Sequence, residues 1–264
     1  MIQVASISGG VPSTAMFLMS LHGEIDNPAD AAVFADTGAE LETTYNTIGK
    51  LTEYAKDFNV PVTVIRGELG DITTHNLQKP VDKHRGSIPF YSTNLDNKKM
   101  QTGKYCSNEF KTYPVFKYFR AQYGCTYKNP IENWLGYTVD ELHRMKPSKA
   151  KYVIKRYPLI EKRIGRDECY RYLEKYGFTE TVSSACWCCP FRRNSEYQYL
   201  SEEERQKAAQ FEEDMNKRGI ELKGNRLPIL RIHPSLEKQS ERPFDNPEQA
   251  DIFDDMCDGG SCFT

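Results

Sequence analysis

Apolar residues gather in short blocks that alternate with stretches patterned at three- and four-residue spacing. Gln3–Ile7 is a short strand candidate that stops at Ser8-Gly9-Gly10. Ser13–His22 (STAMFLMSLH) follows as a helix with a serine at its start. A continuous apolar run, Ala31–Ala35, predicts a second strand ending at Asp36-Thr37-Gly38. From Glu40 to Phe58 the apolar and aromatic positions Leu41, Tyr45, Ile48, Leu51, Tyr54, Ala55 and Phe58 mark an amphipathic helix. Val60–Ile65 predicts a third strand. This βαβαβ order, with buried strands, predicts an α/β fold: a parallel twisted sheet with helices on both faces and right-handed crossovers.

Residues 67–104 read as irregular, being polar and interrupted by Gly67, Gly70, Pro80, Gly86, Pro89 and Gly103. Beyond them the pattern predicts a helix rich in Tyr and Phe over Glu109–Tyr123 and a fourth strand over Ile131–Tyr137. A short helix, Asp167–Tyr176, closes at Gly177, and Ser201–Arg218 reads as a surface helix with Ala208, Phe211 and Met215 inward. The expected division is an α/β domain over 1–180 and a small cysteine-rich C-terminal module, with a helix and an acidic tail, over 181–264.

A net charge of -2 over 264 residues excludes a uniformly basic nucleic-acid coat. A composition 39% apolar and 27% charged fits a globular chain. No apolar run reaches the roughly 18–20 residues that span a bilayer, and the start MIQVASISGG lacks a basic n-region. The expectation is a cytoplasmic protein without a membrane partner. Charge is uneven: from Arg144 to Arg171 ten Lys/Arg face three acids, and from Glu241 to Thr264 seven acids face Arg242. These stretches are either two solvated faces or, for the basic one, a track for a phosphate backbone.

Three features carry candidate chemistry. Ser8-Gly9-Gly10-Val11-Pro12-Ser13 lies where strand one feeds helix one. It is either a plain turn or a cradle in which glycine backbone, free helix amides and serine hydroxyls hold phosphate. Asp36 and Thr37 end the second strand on the same sheet edge, as a helix cap or as partners for a ribose hydroxyl, a metal or an adenine amine. Among eight cysteines, Cys186, Cys188 and Cys189 fall within four residues, and the C-x2-C of Cys186 and Cys189 suits two thiolates on one metal. Cys257 and Cys262 lie in the acidic tail, and Cys125 and Cys169 read as packing residues. Zinc held by Cys186, Cys189, Cys257 and Cys262 satisfies this arithmetic. Trp134, Tyr137 and Trp187 are either core or faces on which a base stacks.

SGGVPS after strand one, FADTG after strand two, and YCSNEFKTYPVFKYFR followed by WLGYTVDELHRM resemble the PP-loop, or adenine nucleotide alpha-hydrolase-like, superfamily. The nearest branch is the PAPS-reductase-like one, which includes small phage-type members, and the resemblance runs from Ile2 to about Phe191. It implies an adenine nucleotide, ATP or a sulfonucleotide, with phosphates on Ser8, Gly9, Gly10 and Ser13 and the adenosine near Asp36 and Thr37. Lys111, in the C-x4-K-x2-P pattern of Cys106, Lys111 and Pro114, is implied to neutralise phosphate. Gly136, Tyr137, Asp140, Glu141 and Arg144 match a G-x3-D-E-x2-R segment lining the same pocket. The resemblance also implies a [4Fe–4S] cluster on Cys106, Cys186 and Cys189, with a fourth thiolate from Cys257 or Cys262. One departure is Pro12, which stands where pyrophosphatases of the superfamily carry Asp in SGGxDS, and this bears on Mg²⁺-assisted release of pyrophosphate.

Three functions follow as expectations. The first is ATP-dependent adenylylation or sulfur transfer onto a nucleic acid held by residues 144–171, with Lys111 and Arg144 stabilising charge and a cluster or other sulfur donor supplying sulfur. The second is reduction of a sulfonucleotide by Cys262 with a thioredoxin-like reductant, although the tail Gly260-Ser261-Cys262-Phe263-Thr264 departs from the E-C-G-x-H of such reductases. The third is a nucleotide-binding or interaction protein without catalysis.

Overall fold

A computed structural model describes residues 1–217 apart from 26–27, 79–86, 90, 94–98, 102–103 and 193. The acidic tail, Cys257 and Cys262 lie outside the described residues. The strands are β1 (Gln3–Ile7), β2 (Ala31–Asp36), β3 (Val62–Arg66), β4 (Tyr91–Thr93), β5 (Lys99–Gln101), β6 (Ile131–Leu135) and β7 (Val153–Arg156). The α-helices are α1 (Val11–Leu21), α2 (Glu42–Lys56), α3 (Ile72–Gln78), α4 (Tyr113–Tyr123), α5 (Pro158–Glu161), α6 (Arg166–Lys175) and α7 (Glu202–Lys217).

Five strands form one parallel sheet in the order β3-β2-β1-β6-β7. The expected α/β class with a parallel sheet is therefore observed. Alternate residues of each strand serve opposite faces. Ala5, Ile7, Ala32 and Phe34 enter one core with α1, α2 and α6. Val4, Ala31, Val33 and Ala35 enter the other with Val115 and Phe119 of α4. Helix α1 is apolar on nearly all sides because it is buried along almost its whole length. Cys125 and Cys169 belong to these cores, as their packing reading expected.

Several elements differ from the pattern. Helix α1 starts at Val11, two residues earlier than expected, with Pro12 in its first turn, where a missing amide costs nothing. The stretch 67–104 is not irregular throughout: it holds α3 and the antiparallel pair β4–β5. The expected helix Glu109–Tyr123 begins as a π-helical turn, Ser107–Thr112, and only then becomes α4. The fourth strand stops at Leu135, since Gly136 turns the chain toward the loop after β1. Strand β7 was hidden inside the basic stretch. No described helix is long and apolar enough to cross a membrane.

Candidate functional site at the carboxyl edge of the sheet

The strand order reverses between β1 and β6, so the ends of these strands form the crevice where open α/β sheets place ligands. The Ser8–Ser13 turn sits there, closed on itself by hydroxyls. The Ser8 amide donates to Ser13 Oγ at 3.1 Å, the two hydroxyls lie 2.9 Å apart, and Ser13 Oγ donates to the Gly10 carbonyl at 3.1 Å. Gly9 has φ +71°, and a Cβ there would meet Thr44 Cγ2 at 2.8 Å. A Cβ on Gly136 would lie 2.5 Å from Ser13 Cα, so the end of β6 and the turn touch backbone to backbone.

Ser184 covers the turn. Its hydroxyl donates to Ser8 Oγ at 3.0 Å, and a Cβ on Gly10 would meet it at 2.8 Å. The space left between Ser8, Ala35, Lys111 and Val115 is about 10 Å³, the size of one water site. The open cradle that the sequence suggested is therefore filled by a neighbouring side chain in this conformation.

Beside the turn, β2 ends in a polar cluster. Asp36 accepts from the Gly38 amide and the Tyr45 hydroxyl, each at 2.8 Å, and pairs with Arg66. Burial pushes its carboxyl up, but the Gly38 amide, Arg66 and Tyr45 outweigh it and hold the group below the usual carboxylate range. Thr37 Oγ1 donates to Glu40 Oε1 at 2.9 Å, and Lys111 reaches the same oxygen at 3.0 Å. Both ion-pair partners are largely shielded, the Glu40 side chain at 0% and Lys111 at 13% exposure. Glu40 Oε2 is buried with no hydrogen-bond partner among the described residues.

The cysteines join this cluster. Cys186 Sγ lies 3.3 Å from Thr37 Oγ1, and the Trp187 amide donates to the Ala39 carbonyl. A hydrogen bond with Cys188 holds the Cys186 thiol below its usual value, against burial and the Glu40 charge, with Lys111 and Thr37 helping. The same bond and burial push Cys188 up, and burial pushes Cys189 up to about 11. Cys106, Cys186 and Cys188 pack together in one apolar cluster with Ile72 and Phe211. These donors suit a soft metal by type, yet among the described residues no group of three or more His, Cys, Asp or Glu is arranged to hold a metal ion.

The G-x3-D-E-x2-R segment is held by contacts within itself and with its neighbours. Arg144 is buried, pairs with Glu141 and lies 4.3 Å from the centroid of the Tyr137 ring. Asp140 accepts from the Thr138 hydroxyl and the Arg166 amide, which ties the 3-10 turn Val139–Arg144 to α6. Tyr137 is buried and stacks on Tyr157. Trp134 is fully buried under Arg156 and is a core residue, whereas Trp187 is half-buried and packs edge-on against Phe211.

The basic stretch is not one continuous face. Arg156 pairs with Glu161 and Glu132, while Lys146, Lys149 and Lys155 turn to a cleft of about 1000 Å³ beside α4. Sequence reasoning missed that cleft, Glu40 and Ser184, because no local signal separates them from ordinary surface, helix and turn residues.

No family model matches this chain. Over 156 residues it is 30% identical to a protein of Escherichia phage lambda described as an uncharacterized nin region protein, ORF290. The match covers 56% of this chain and 51% of that protein, so the chain spans about half the length of the relative it matches.

Proposed function

We propose that this chain is a PP-loop-type enzyme that binds an adenine nucleotide over the Ser8–Ser13 turn and uses ATP to adenylylate an acceptor oxygen on a nucleic acid. One observation carries the reading: a glycine turn with two inward serine hydroxyls stands at the end of the central strand, where the strand order reverses, and opens α1. In the proposal the phosphates replace Ser184 as the partner of Ser8, so residues 181–186 move aside on binding. The acceptor oxygen bonds to the α-phosphorus, the bond from that phosphorus to the bridging oxygen breaks, and pyrophosphate leaves. Pro12 supplies no carboxylate, so the helix amides and Lys111 take the developing charge. Pyrophosphate release from ATP that rises on adding nucleic acid supports the reading. Absence of release with every nucleic acid tried refutes it.

Sulfonucleotide reduction is the second reading, expected of Cys262, which lies outside the described residues, and favoured among the described thiols by Cys186, which is held below its usual pKa two residues after the Ser184 that covers the turn. Sulfite release from adenylyl sulfate in the presence of a dithiol reductant, which displaces sulfite from the cysteine thiosulfonate and is itself oxidised to a disulfide, distinguishes the two. Nucleotide uptake with neither product leaves a binding protein.

A further inference from the structure

The cleft of about 1000 Å³ lies at the upper end of the roughly 300–1,000 Å³ common for ligand pockets. Five cations line it: Lys117 and Arg120 from α4, Lys146 and Lys149 from the loop before β7, and Lys155 from β7 itself. Among the described residues none that lines it is acidic. Lys117 is partly answered by Glu68, an exposed pair at the rim. Aromatic rings sit among the cations: Tyr113 is 63% exposed, and Phe116 packs edge-on against Tyr152, which Arg120 overlies.

Two physical consequences follow. Burial and the Lys146 charge push the Lys155 ammonium below its usual pKa, so an anion brought into the cleft relieves a real electrostatic cost. Alternation of cations with flat rings fits a ligand that alternates phosphates with planar bases, and it offers an acidic peptide nothing on which to stack. A duplex hides its base faces, so the rings favour a single strand.

The cleft also adjoins the nucleotide turn. Leu135 and Tyr137 line it, while Gly136 between them packs on Ser13. Likewise Asn108 and Thr112 of the π-helical turn face the cleft, while Lys111 of the same turn lines the small space beside Ser8. Single π-helical turns recur at functional sites.

We propose that this cleft binds single-stranded nucleic acid and delivers the acceptor to the nucleotide turn. The delivery role rests on the function proposed above, but binding by the cleft does not.

The test is fluorescence anisotropy with a labelled oligothymidylate of about 12 nucleotides, within the range one such groove covers, using the full chain. The oligonucleotide binds, and log K falls with log salt at a slope of about -3, as four or five neutralised phosphates of a single strand predict. Lys146→Glu with Lys149→Glu, both at exposed positions, weakens binding roughly tenfold or more. Tyr113→Ala weakens it about tenfold, the loss of one stacked base. A duplex of equal length binds less well, and polyglutamate does not compete. Unchanged affinity in the double variant, equal competition by polyglutamate, or no binding at low salt overturns the proposal. Nucleotide uptake measured on the same samples separates the two ideas: uptake without strand binding sinks the cleft alone, and strand binding without uptake sinks the turn alone.

Discussion

Ser184 donates its hydroxyl to Ser8 at 3.0 Å, which makes the segment leading to Cys186 the cover of the turn after β1. The thiol cluster and the glycine turn are thereby parts of one edge. Gly10→Ala tests this contact, because its new methyl would lie 2.8 Å from Ser184 Oγ. The variant loses about 1–3 kcal/mol. Adding Ser184→Gly, which removes the colliding side chain, restores part of that loss in denaturant unfolding.

Gly136→Ala is more damaging than Gly10→Ala. Its methyl would meet Ser13 Cα at 2.5 Å and Ser13 N at 2.7 Å, both backbone, with no flexible side chain to yield. No substitution at Ser13 rescues it, and its midpoint in a denaturant titration falls below that of Gly10→Ala.

Asp36 gives the fold an acid limb. Its carboxyl is held below the usual range, so the folded chain binds fewer protons than the unfolded one as the solution acidifies. That stabilisation is complete above the unfolded carboxylate value of about 3.9 and is lost as pH falls through the lower folded value. Asp36→Asn, which loses the charge facing Arg66, is less stable at neutral pH by about 1–3 kcal/mol. Its stability also declines less steeply in acid, and unfolding curves over the acid range read both effects.

Glu40 and Lys111 form a shielded pair, so removing either leaves the other charge without its counterion. Each of Glu40→Leu and Lys111→Met costs about 3–5 kcal/mol, nearer the lower figure for Glu40→Leu, because the Lys111 left behind is 13% exposed whereas Glu40 is at 0%. The double variant is more stable than the sum of the two losses predicts. A double-mutant cycle by urea unfolding measures that coupling.

Much of the sheet is legible in the chain because β1 and β2 are buried almost throughout and apolar residues dominate them, with Gln3 and Ser6 the polar positions of β1 and Asp36 ending β2. Strand β7 is not: Val153-Ile154-Lys155-Arg156 carries two cations, one facing the cleft and one lying on Trp134, and the pair reads as surface charge. Helix α3 is hidden for a similar reason, since Ile72, Thr73 and Thr74 are weak helix formers and the helix is held by long-range partners, with Asn76 accepting from the amides of Ser87 and Ile88. At the site, the turn residues and Lys111 could be picked out by position and pattern. Glu40 could not, because its neighbours mark only the approach to a helix, and its burial depends on Lys111 far along the chain. The C-x2-C spacing selected Cys186 with Cys189, whereas packing couples Cys186 to Cys188.

Calorimetric titration of the full chain with ATP tests the central claim most directly. The account predicts stoichiometric uptake that Ser8→Ala with Ser13→Ala abolishes while the thermal unfolding transition remains. A folded wild-type chain that takes up neither ATP nor adenylyl sulfate would contradict it.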